Sequence, residues 1–587
     1  MIDAKKNFDI IKMQLINNFL YSVVDEMTQA VVRTSLSPIT RDVFDFQCGV
    51  CRGDGELVLE GEGTLIHSLI YQGLISNWMR QNKEDTYPGD VIITNDPYSG
   101  AAHLPDIYLY RPIFVGDEIV AWAVAGGHQR DIGGLTPGSC PHNSTEIFQE
   151  GLRIPPVKLY ERGEPNETLF TILKAASRVP DVLLADIGAF YGACSLGEQR
   201  YRELIEEHGL ENLKMYLNEL LDYTEKLTRA EIKAMPDGIY PFTDYLDDDG
   251  ITQGKQIPIS LEIIIEDDEI TYDFTGTSLQ VQGAMNNPFG TTRAVVLTAL
   301  RTMMNPEIPR NSGAYRPVRL VVPEGTLLNP KMPAAVASRG GTIQRESDVM
   351  LGAQAAIRPE KLMACTSGVD TLINISGADK NLKPWILMES FWGGWGGRSN
   401  LDGVDYNTPP ILNNSNVPCE VNEELYPDIL YVQYAYVPDT EGAGKFRGSV
   451  AVVREWKNVG DDNLGLQLRV DRRSLGPYGL FGGHPGALLK ATIKDGKEDR
   501  DVGKITTKLC PGGSIRIQSA GAGGWGNPLE RDPEMVLQDV LYEKISILRA
   551  RDIYGVIINE VNLEIDWIET QKFREEVKIL TKLNKKR

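Results

Sequence analysis

Residues 91–134 read VIITNDPYSGAAHLPDIYLYRPIFVGDEIVAWAVAGGHQRDIGG. Three β-rich runs, at 91–94, 107–114 and 119–125, are separated by Gly, Pro and Asp, the residues that turn a chain. Upstream, residues 43–60 alternate in polarity around the turn Gly53-Asp54-Gly55, which predicts a hairpin. Helical spacing flanks these strands. Ile10, Ile11, Met13, Ile16, Leu20, Val23 and Val24 place a helix over 7–35, and further helices are expected over 64–82 and within 165–235. Beyond 239 strand-like runs dominate (257–265, 270–274, 318–322, 429–437, 449–456), interrupted by a helical segment at 291–304. A helical pattern over 530–559 follows Asp532-Pro533, and a charged tail ends in Lys585-Lys586-Arg587. The pattern predicts a multidomain α+β chain with several β-rich bodies and flanking helices. Its expected parts are an N-terminal α+β domain over 1–238, β-rich domains over 239–528 and a helical tail over 529–587.

The 587 residues exceed one ordinary domain, and 42% hydrophobic with 24% charged residues is a globular composition. The net charge of −21 repels nucleic acid and anionic membranes, which excludes both as expected partners. The first twenty residues lack the basic, apolar and small-residue regions of a signal peptide, and no apolar run is long enough to span a bilayer. Seven scattered cysteines do not suggest a disulfide framework, so a cytoplasmic location is expected.

Six histidines occur, and three of them (His103, His128, His142) fall within 40 residues in loops rich in Gly, Pro and Asp. His103 and Asp106 are three apart at the mouth of a strand, so both side chains can turn to one point. His128 enters from the end of the next strand. Two imidazoles and a carboxylate leave coordination positions open, as a catalytic metal site requires. With no Cys among the three, Mn²⁺ or Fe²⁺ fits as well as Zn²⁺. Asp96 and Asp131 offer further ligands or groups that orient the imidazoles. The bland alternative is a set of turn-capping aspartates and hydrogen-bonded histidines. His67 lies on an apolar helix and reads as a satisfied core histidine, while His208 reads as solvated.

Cys48-Gly49-Val50-Cys51 lies in a strand pattern, so two buried cysteines are expected rather than a redox or zinc pair. Cys140, in a Gly/Pro loop beside the candidate site, is the better candidate for thiol chemistry, although an inert thiol is expected. The runs 391–398 and 519–526 are glycine-rich without being a phosphate-binding loop, and tight turns explain them. Ser338-Arg339-Gly340-Gly341-Thr342 sets a cation beside flexible backbone and suits a phosphate or a carboxylate. Asp247-Asp248-Asp249-Gly250 reads as a solvated turn.

The chain resembles the hydantoinase B family nearly end to end. The resemblance is carried by RDVFDFQCGVCRGDGELV (41–58), NDPYSGAAHLPDIYLYRPIF (95–114), GGHQRDIGGLTPGSCPHNSTEIFQEGLRIPPVKL (126–159), VVPEGTLLNPKMPAAVASRG (321–340), GAGKFRGSVAVVREW (442–456) and AGGWGNPLERDP (522–533). That family includes the B components of ATP-dependent hydantoinases, the C-terminal half of 5-oxoprolinase, caprolactamase β subunits and α subunits of acetone and acetophenone carboxylases. The resemblance implies a divalent metal (Mn, Zn or Fe) on His103, Asp106 and His128. It also implies a hydantoinase A-like partner that holds ATP and Mg, in an α₂β₂ assembly. The implied activity is ATP-dependent opening of a small cyclic amide such as 5-oxoproline, a hydantoin or caprolactam, after the partner phosphorylates the amide oxygen. Asp131 and His142 are then the candidate general base or proton shuttle. An ATP-dependent ketone carboxylase is the alternative, and a structural subunit with a degenerate site is a third reading. The chain departs from the common pattern at Ala101-Ala102, at Gln129-Arg130 and at Ser139-Cys140-Pro141-His142-Asn143-Ser144, all around the expected pocket.

Overall fold

The computed structural model describes residues 9–584 except 369, 413 and 497. The expected charged end at 585–587 and the first two residues of the helix predicted over 7–35 lie outside the described residues.

Seven strands build the first sheet: β1 (Phe46–Arg52), β2 (Leu57–Glu60), β3 (Val91–Thr94), β4 (Asp106–Val115), β5 (Glu118–His128), β6 (Val157–Glu161) and β7 (Glu164–Pro165). Their order is β2-β1-β5-β4-β3-β6-β7 and every pairing is antiparallel. Successive side chains leave a strand on opposite faces, and here both faces are covered. Ile107, Leu109, Ala123 and Ala125 enter one core with Leu20, Met27 and Phe190 of the helices Ile10–Thr34 and Pro180–His208. Tyr108, Tyr110, Trp122 and Val124 enter another with Tyr71, Leu74 and Val295. This is why β4 and β5 read as nearly unbroken apolar runs. It also settles the CxxC spacing: Cys48 points into the first core and Cys51 into the second, and both are free thiols.

The second sheet comprises β8 (Gly238–Leu246), β9 (Ile257–Glu266), β10 (Glu269–Asp273) and β11 (Val318–Val321), in the order β11-β10-β9-β8. Only the β10–β11 pair within it is parallel. Ile259, Leu261 and Ile263 of β9 join the core that holds Tyr108, so one apolar cluster runs from Cys51 to Trp525 across residue 238. Two further sheets share a core around Ile373, Phe391, Trp456 and Ile515. One contains β12 (Thr371–Ala378), β13 (Pro384–Phe391), β16 (Leu464–Arg469) and β19 (Ile505–Leu509). The other contains β14 (Ile429–Val437), β15 (Ala451–Asn458), β17 (Lys490–Lys494), β18 (Asp499–Asp501) and β20 (Ser514–Gln518). The architecture is α+β. Among the described residues, no helix is long and apolar enough to cross a membrane.

Two elements differ from the sequence reading. The helical pattern over 530–559 is two short helices, Pro533–Leu541 and Ile547–Asp552, and the stretch expected as a helical tail continues in a longer helix, Trp567–Asn584. The helix Gly340–Ala355 has no counterpart in the sequence pattern. All its residues but Gly340 are buried, including Gln344, Arg345, Glu346 and Asp348. Buried ion pairs replace an apolar stripe: Arg345 donates to Asp471 (2.9 Å), and Arg472 to Asp244 (2.7 Å) and Asp348 (3.2 Å). The glycine-rich runs serve close backbone approach, since a Cβ on Gly397 would lie 2.3 Å from the carbonyl oxygen of Phe446.

Gly127, the penultimate residue of β5, sets the spacing of β1. A Cβ there would lie 2.4 Å from both the carbonyl oxygen of Asp45 and the Cα of Phe46. Gly127→Ala should therefore destabilise the protein by about 2 kcal/mol or more, as overpacking against backbone does. Thermal unfolding checks this, and an unchanged midpoint would contradict the packing described.

Candidate metal centre

The β4–β5 hairpin brings the sequence-distant ligand candidates together. Its register pairs Asp106, the first residue of β4, with His128, the last of β5. A turn closes from the amide of Asp106 to the carbonyl of His103 (2.9 Å) and folds the second imidazole back over the strand end. The amide of His128 is held by the carbonyl of Asp45 (2.9 Å) and that of Gln129 by Pro105 (2.8 Å). Three donor atoms result, and all three residues are buried. His103 Nε2 lies 3.1 Å from Asp106 Oδ1, His128 Nδ1 lies 2.9 Å from the same oxygen, and the two nitrogens are 3.2 Å apart.

The protonation logic is fixed by one contact. The Nδ1 of His103 lies 3.1 Å from the carbonyl oxygen of Ala337, which can only accept, so Nδ1 carries the proton and Nε2 presents a lone pair. That lone pair faces Asp106 Oδ1, also an acceptor. Either a hydrogen on His128 Nδ1 or a metal ion must lie among the three atoms. Ligand atoms bound at about 2.1 Å are roughly 3.0–3.4 Å apart in octahedral or tetrahedral geometry, and the observed triangle matches that spacing. The residues present therefore fit a divalent ion.

Asp106 is held from its other side by Arg339, whose guanidinium donates to Oδ2. Burial works to raise the Asp106 pKa, but the charges of His103 and Arg339 and the histidine hydrogen bonds override it and keep the carboxylate well below its usual range. Burial and the Arg339 charge push His103 down to about 4, so it stays neutral as a ligand must. His128 goes the other way: burial opposes its charge, yet the Asp106 and Cys140 contacts raise it to about 10. A proton and a metal ion thus compete for the same triangle.

Cys140 is the residue that sequence spacing undervalued. Its sulfur lies within 4.8 Å of ligand nitrogens of His103 and His128. A thiol beside two imidazoles favours a borderline-soft ion such as Zn²⁺ or Fe²⁺ over Mn²⁺.

The other expected site residues lie elsewhere. Asp131 forms an ion pair with Arg178 (2.8 Å) and accepts from the amide of Gly133 (2.7 Å). His142 faces Thr506 (3.4 Å), and burial with the nearby Lys504 lowers it to about 4. Neither lines the cavity beside the triangle. Asp96 caps its own turn by accepting from Tyr98 (3.1 Å) and Ser99 (3.0 Å). His67 is satisfied, as expected, by Tyr108 (2.8 Å) and Asp45 (3.2 Å), yet it also lines the cavity. Arg339 does bind a carboxylate, but one belonging to the protein itself.

The cavity has a volume of about 80 Å³. His103, His128, Cys140 and Arg339 line one part of it. Ile39, Ile66, Ile343, Leu372, Met388 and Leu412 contribute apolar wall, and Trp392, Asp370 and Arg469 contribute polar groups.

Residues 9–528 match the family model described as Hydantoinase B/oxoprolinase. The chain belongs to that family. This hydantoinase B/oxoprolinase family member is 33% identical over 591 residues to the B component of a putative D-/L-hydantoinase from a Pseudomonas strain, covering 97% of this chain and 98% of that one. Its structure is similar to that of an ATP-dependent caprolactamase from Pseudomonas jessenii, with a TM-score of 0.90 at 28% identity over 97% of this chain and 100% of the other. A nucleotide-free acetone carboxylase shares the fold, with a TM-score of 0.89 at 18% identity, covering 97% of this chain and 83% of that one.

Glu150 secures the loop that orients His103. Its Oε1 accepts from the amides of Val336 and Ala337 (2.9 Å each) and from Ser144 (2.7 Å), while Oε2 is buried without a partner. Burial raises this carboxyl to about 8 despite those bonds. The folded state therefore binds the proton more tightly than the unfolded chain. The associated stability is full below the ordinary value of 4.5 and is lost as pH rises toward 8. Urea unfolding between pH 5 and 8 should show a steeper decline for the parent than for Glu150→Gln. Parallel profiles would contradict this reading.

Proposed function

We propose that this chain is the metal-holding subunit of an ATP-dependent enzyme that opens a small cyclic amide. The observation that carries the proposal is the buried triangle of His103 Nε2, His128 Nδ1 and Asp106 Oδ1, whose two histidines line a small, largely apolar cavity. The relatives named as a hydantoinase B component and an ATP-dependent caprolactamase support the reaction class and the need for a partner.

In this reading the partner binds ATP and Mg and phosphorylates the amide oxygen. The ring then opens here: one water adds its oxygen to the O-phosphorylated carbon, the C–N bond breaks with the nitrogen taking a proton, and a second water splits the resulting acyl phosphate into the ring-opened carboxylate and inorganic phosphate. A divalent ion held by His103, His128 and Asp106 supplies a Lewis acid that polarises an oxygen and lowers the pKa of water. Asp106 orients both imidazoles, and Ala337 fixes the tautomer of His103. Arg339 places positive charge beside the reacting oxygen while neutralising Asp106. The apolar wall excludes bulk water from the activated amide.

The acetone carboxylase fold accommodates another chemistry, capture of bicarbonate by a ketone, so the test must separate the two. The chain co-expressed with its A-type partner should retain about one Zn, Fe or Mn per protomer by mass spectrometry and open a lactam or hydantoin only with ATP. His128→Ala should lose metal and turnover together, by at least about 100-fold in kcat, while the complex still assembles. Metal loss with full turnover would contradict the proposal. ATP-dependent incorporation of labelled bicarbonate into a ketone, without ring opening, would favour the carboxylase.

A further inference from the structure

Cys140 is placed differently from other buried cysteines of the chain. Cys48, Cys51 and Cys194 sit in apolar cores. Cys140 is only 1% exposed, yet it belongs to no apolar cluster among the described residues and lines the cavity with His103 and His128.

The loop that carries it is held in one conformation. Gly138 (φ 86°) and Ser139 (φ 52°) both occupy the left-handed region, which is unfavourable for a serine. Ser139 is fixed there because its hydroxyl donates to the Gly133 carbonyl (2.7 Å) and accepts from the Ile132 amide (2.8 Å). On the other side, Gln467 donates to the Cys140 carbonyl. The side-chain oxygen of Gln467 in turn accepts from Asn374 (3.0 Å) and Thr136 (3.2 Å). The backbone is thus pinned before and after the Cys140 Cα, and the fold delivers the thiol to the imidazoles.

Distance and charge then agree. The sulfur lies within 4.8 Å of ligand nitrogens of both histidines. On one ion, a sulfur at about 2.3 Å and a nitrogen at about 2.1 Å are roughly 3.1 Å apart at a right angle and roughly 4.4 Å apart when opposite. The observed limit exceeds that range by only tenths of an ångström, less than one side-chain rotation moves a sulfur. Asp106 is already neutralised by Arg339, and Asp370 by Arg469. Two imidazoles bound as neutral ligands add no charge. A divalent ion in the resting triangle would therefore keep both positive charges in a buried site, where unpaired charge is costly. Asp45, which lines the cavity and faces His67 (3.2 Å), offsets one of them. A Cys140 thiolate offsets the other.

We propose that Cys140 is a further protein ligand of the ion, bound through Sγ as the thiolate. This rests on the metal-holding reading above. Metal entry forms the metal–sulfur bond and releases the thiol proton to water. The donor set becomes one sulfur, two nitrogens and one oxygen, which selects Zn²⁺ or Fe²⁺ and rejects Mn²⁺. Expansion to five-coordination leaves a position open.

X-ray absorption at the zinc edge, on the unaltered zinc-loaded complex with its partner, should show one sulfur at about 2.3 Å from the ion. Cobalt(II) in place of zinc should give a strong near-ultraviolet thiolate-to-metal charge-transfer band that is lost in Cys140→Ser. That variant should still assemble and hold the ion, with its preference for Zn²⁺ over Mn²⁺ reduced at least about tenfold. A shell of nitrogen and oxygen alone around zinc would overturn the ligand role and leave the metal reading intact. A band that persists in Cys140→Ser, or an unchanged preference between the two ions, would overturn the assignment to this residue. An unaltered complex that binds zinc and cobalt no better than Asp106→Ala does would overturn the metal reading and the inference together.

Discussion

The site depends on one buried carboxylate. One oxygen of Asp106 faces both imidazoles and accepts from His128, the other accepts from Arg339, and the residue is fully buried. Removing one partner of such a group leaves an uncompensated charge in low dielectric, at a cost of about 3–5 kcal/mol. Two stretches far apart in sequence, 103–128 and 337–340, therefore have to arrive in register. The β4–β5 hairpin places Asp106 against His128, the 103–106 turn returns His103, the Ala337 carbonyl sets its tautomer, and the start of the helix Gly340–Ala355 brings Arg339. Gly127 lets β1 press close enough for Asp45 to hold the His128 amide.

Charge within that assembly is finely opposed. The same carboxylate that lifts His128 to about 10 leaves His103 near 4, because burial and Arg339 act against protonation of His103. One imidazole is a ready lone pair, and the other must release a proton before a metal ion enters. Metal uptake is accordingly coupled to proton release and favoured as pH rises. The fold itself does not dictate the reaction. A TM-score of 0.89 to an acetone carboxylase at 18% identity shows a shared scaffold, and the chemistry is decided by what surrounds the triangle.

Much of the scaffold is legible in the sequence because period-2 and period-3.6 patterns survive in it. The hairpin around Gly53, strands β3 to β5 and the helix Ile10–Thr34 stand where the patterns place them. The helix Gly340–Ala355 is illegible for a physical reason: it is buried all round and carries paired charges, so it has no amphipathic period. The spacing of His103, Asp106 and His128 is readable from strand ends, but its partners are not. Arg339 lies 233 residues from Asp106, while Cys140 reads in the sequence only as a loop thiol beside the site. Asp131 and His142 look catalytic in the sequence because they sit in the same loops. Arg178 claims the first, while the second faces Thr506 beside Lys504.

The most direct test of the central claim is anomalous diffraction from crystals of the purified complex, recorded on both sides of the Zn, Fe and Mn edges. A single strong peak is expected within bonding distance of His103 Nε2, His128 Nδ1 and Asp106 Oδ1, absent in Asp106→Ala. An anomalous map with no peak there, in protein that turns over its substrate, would contradict it.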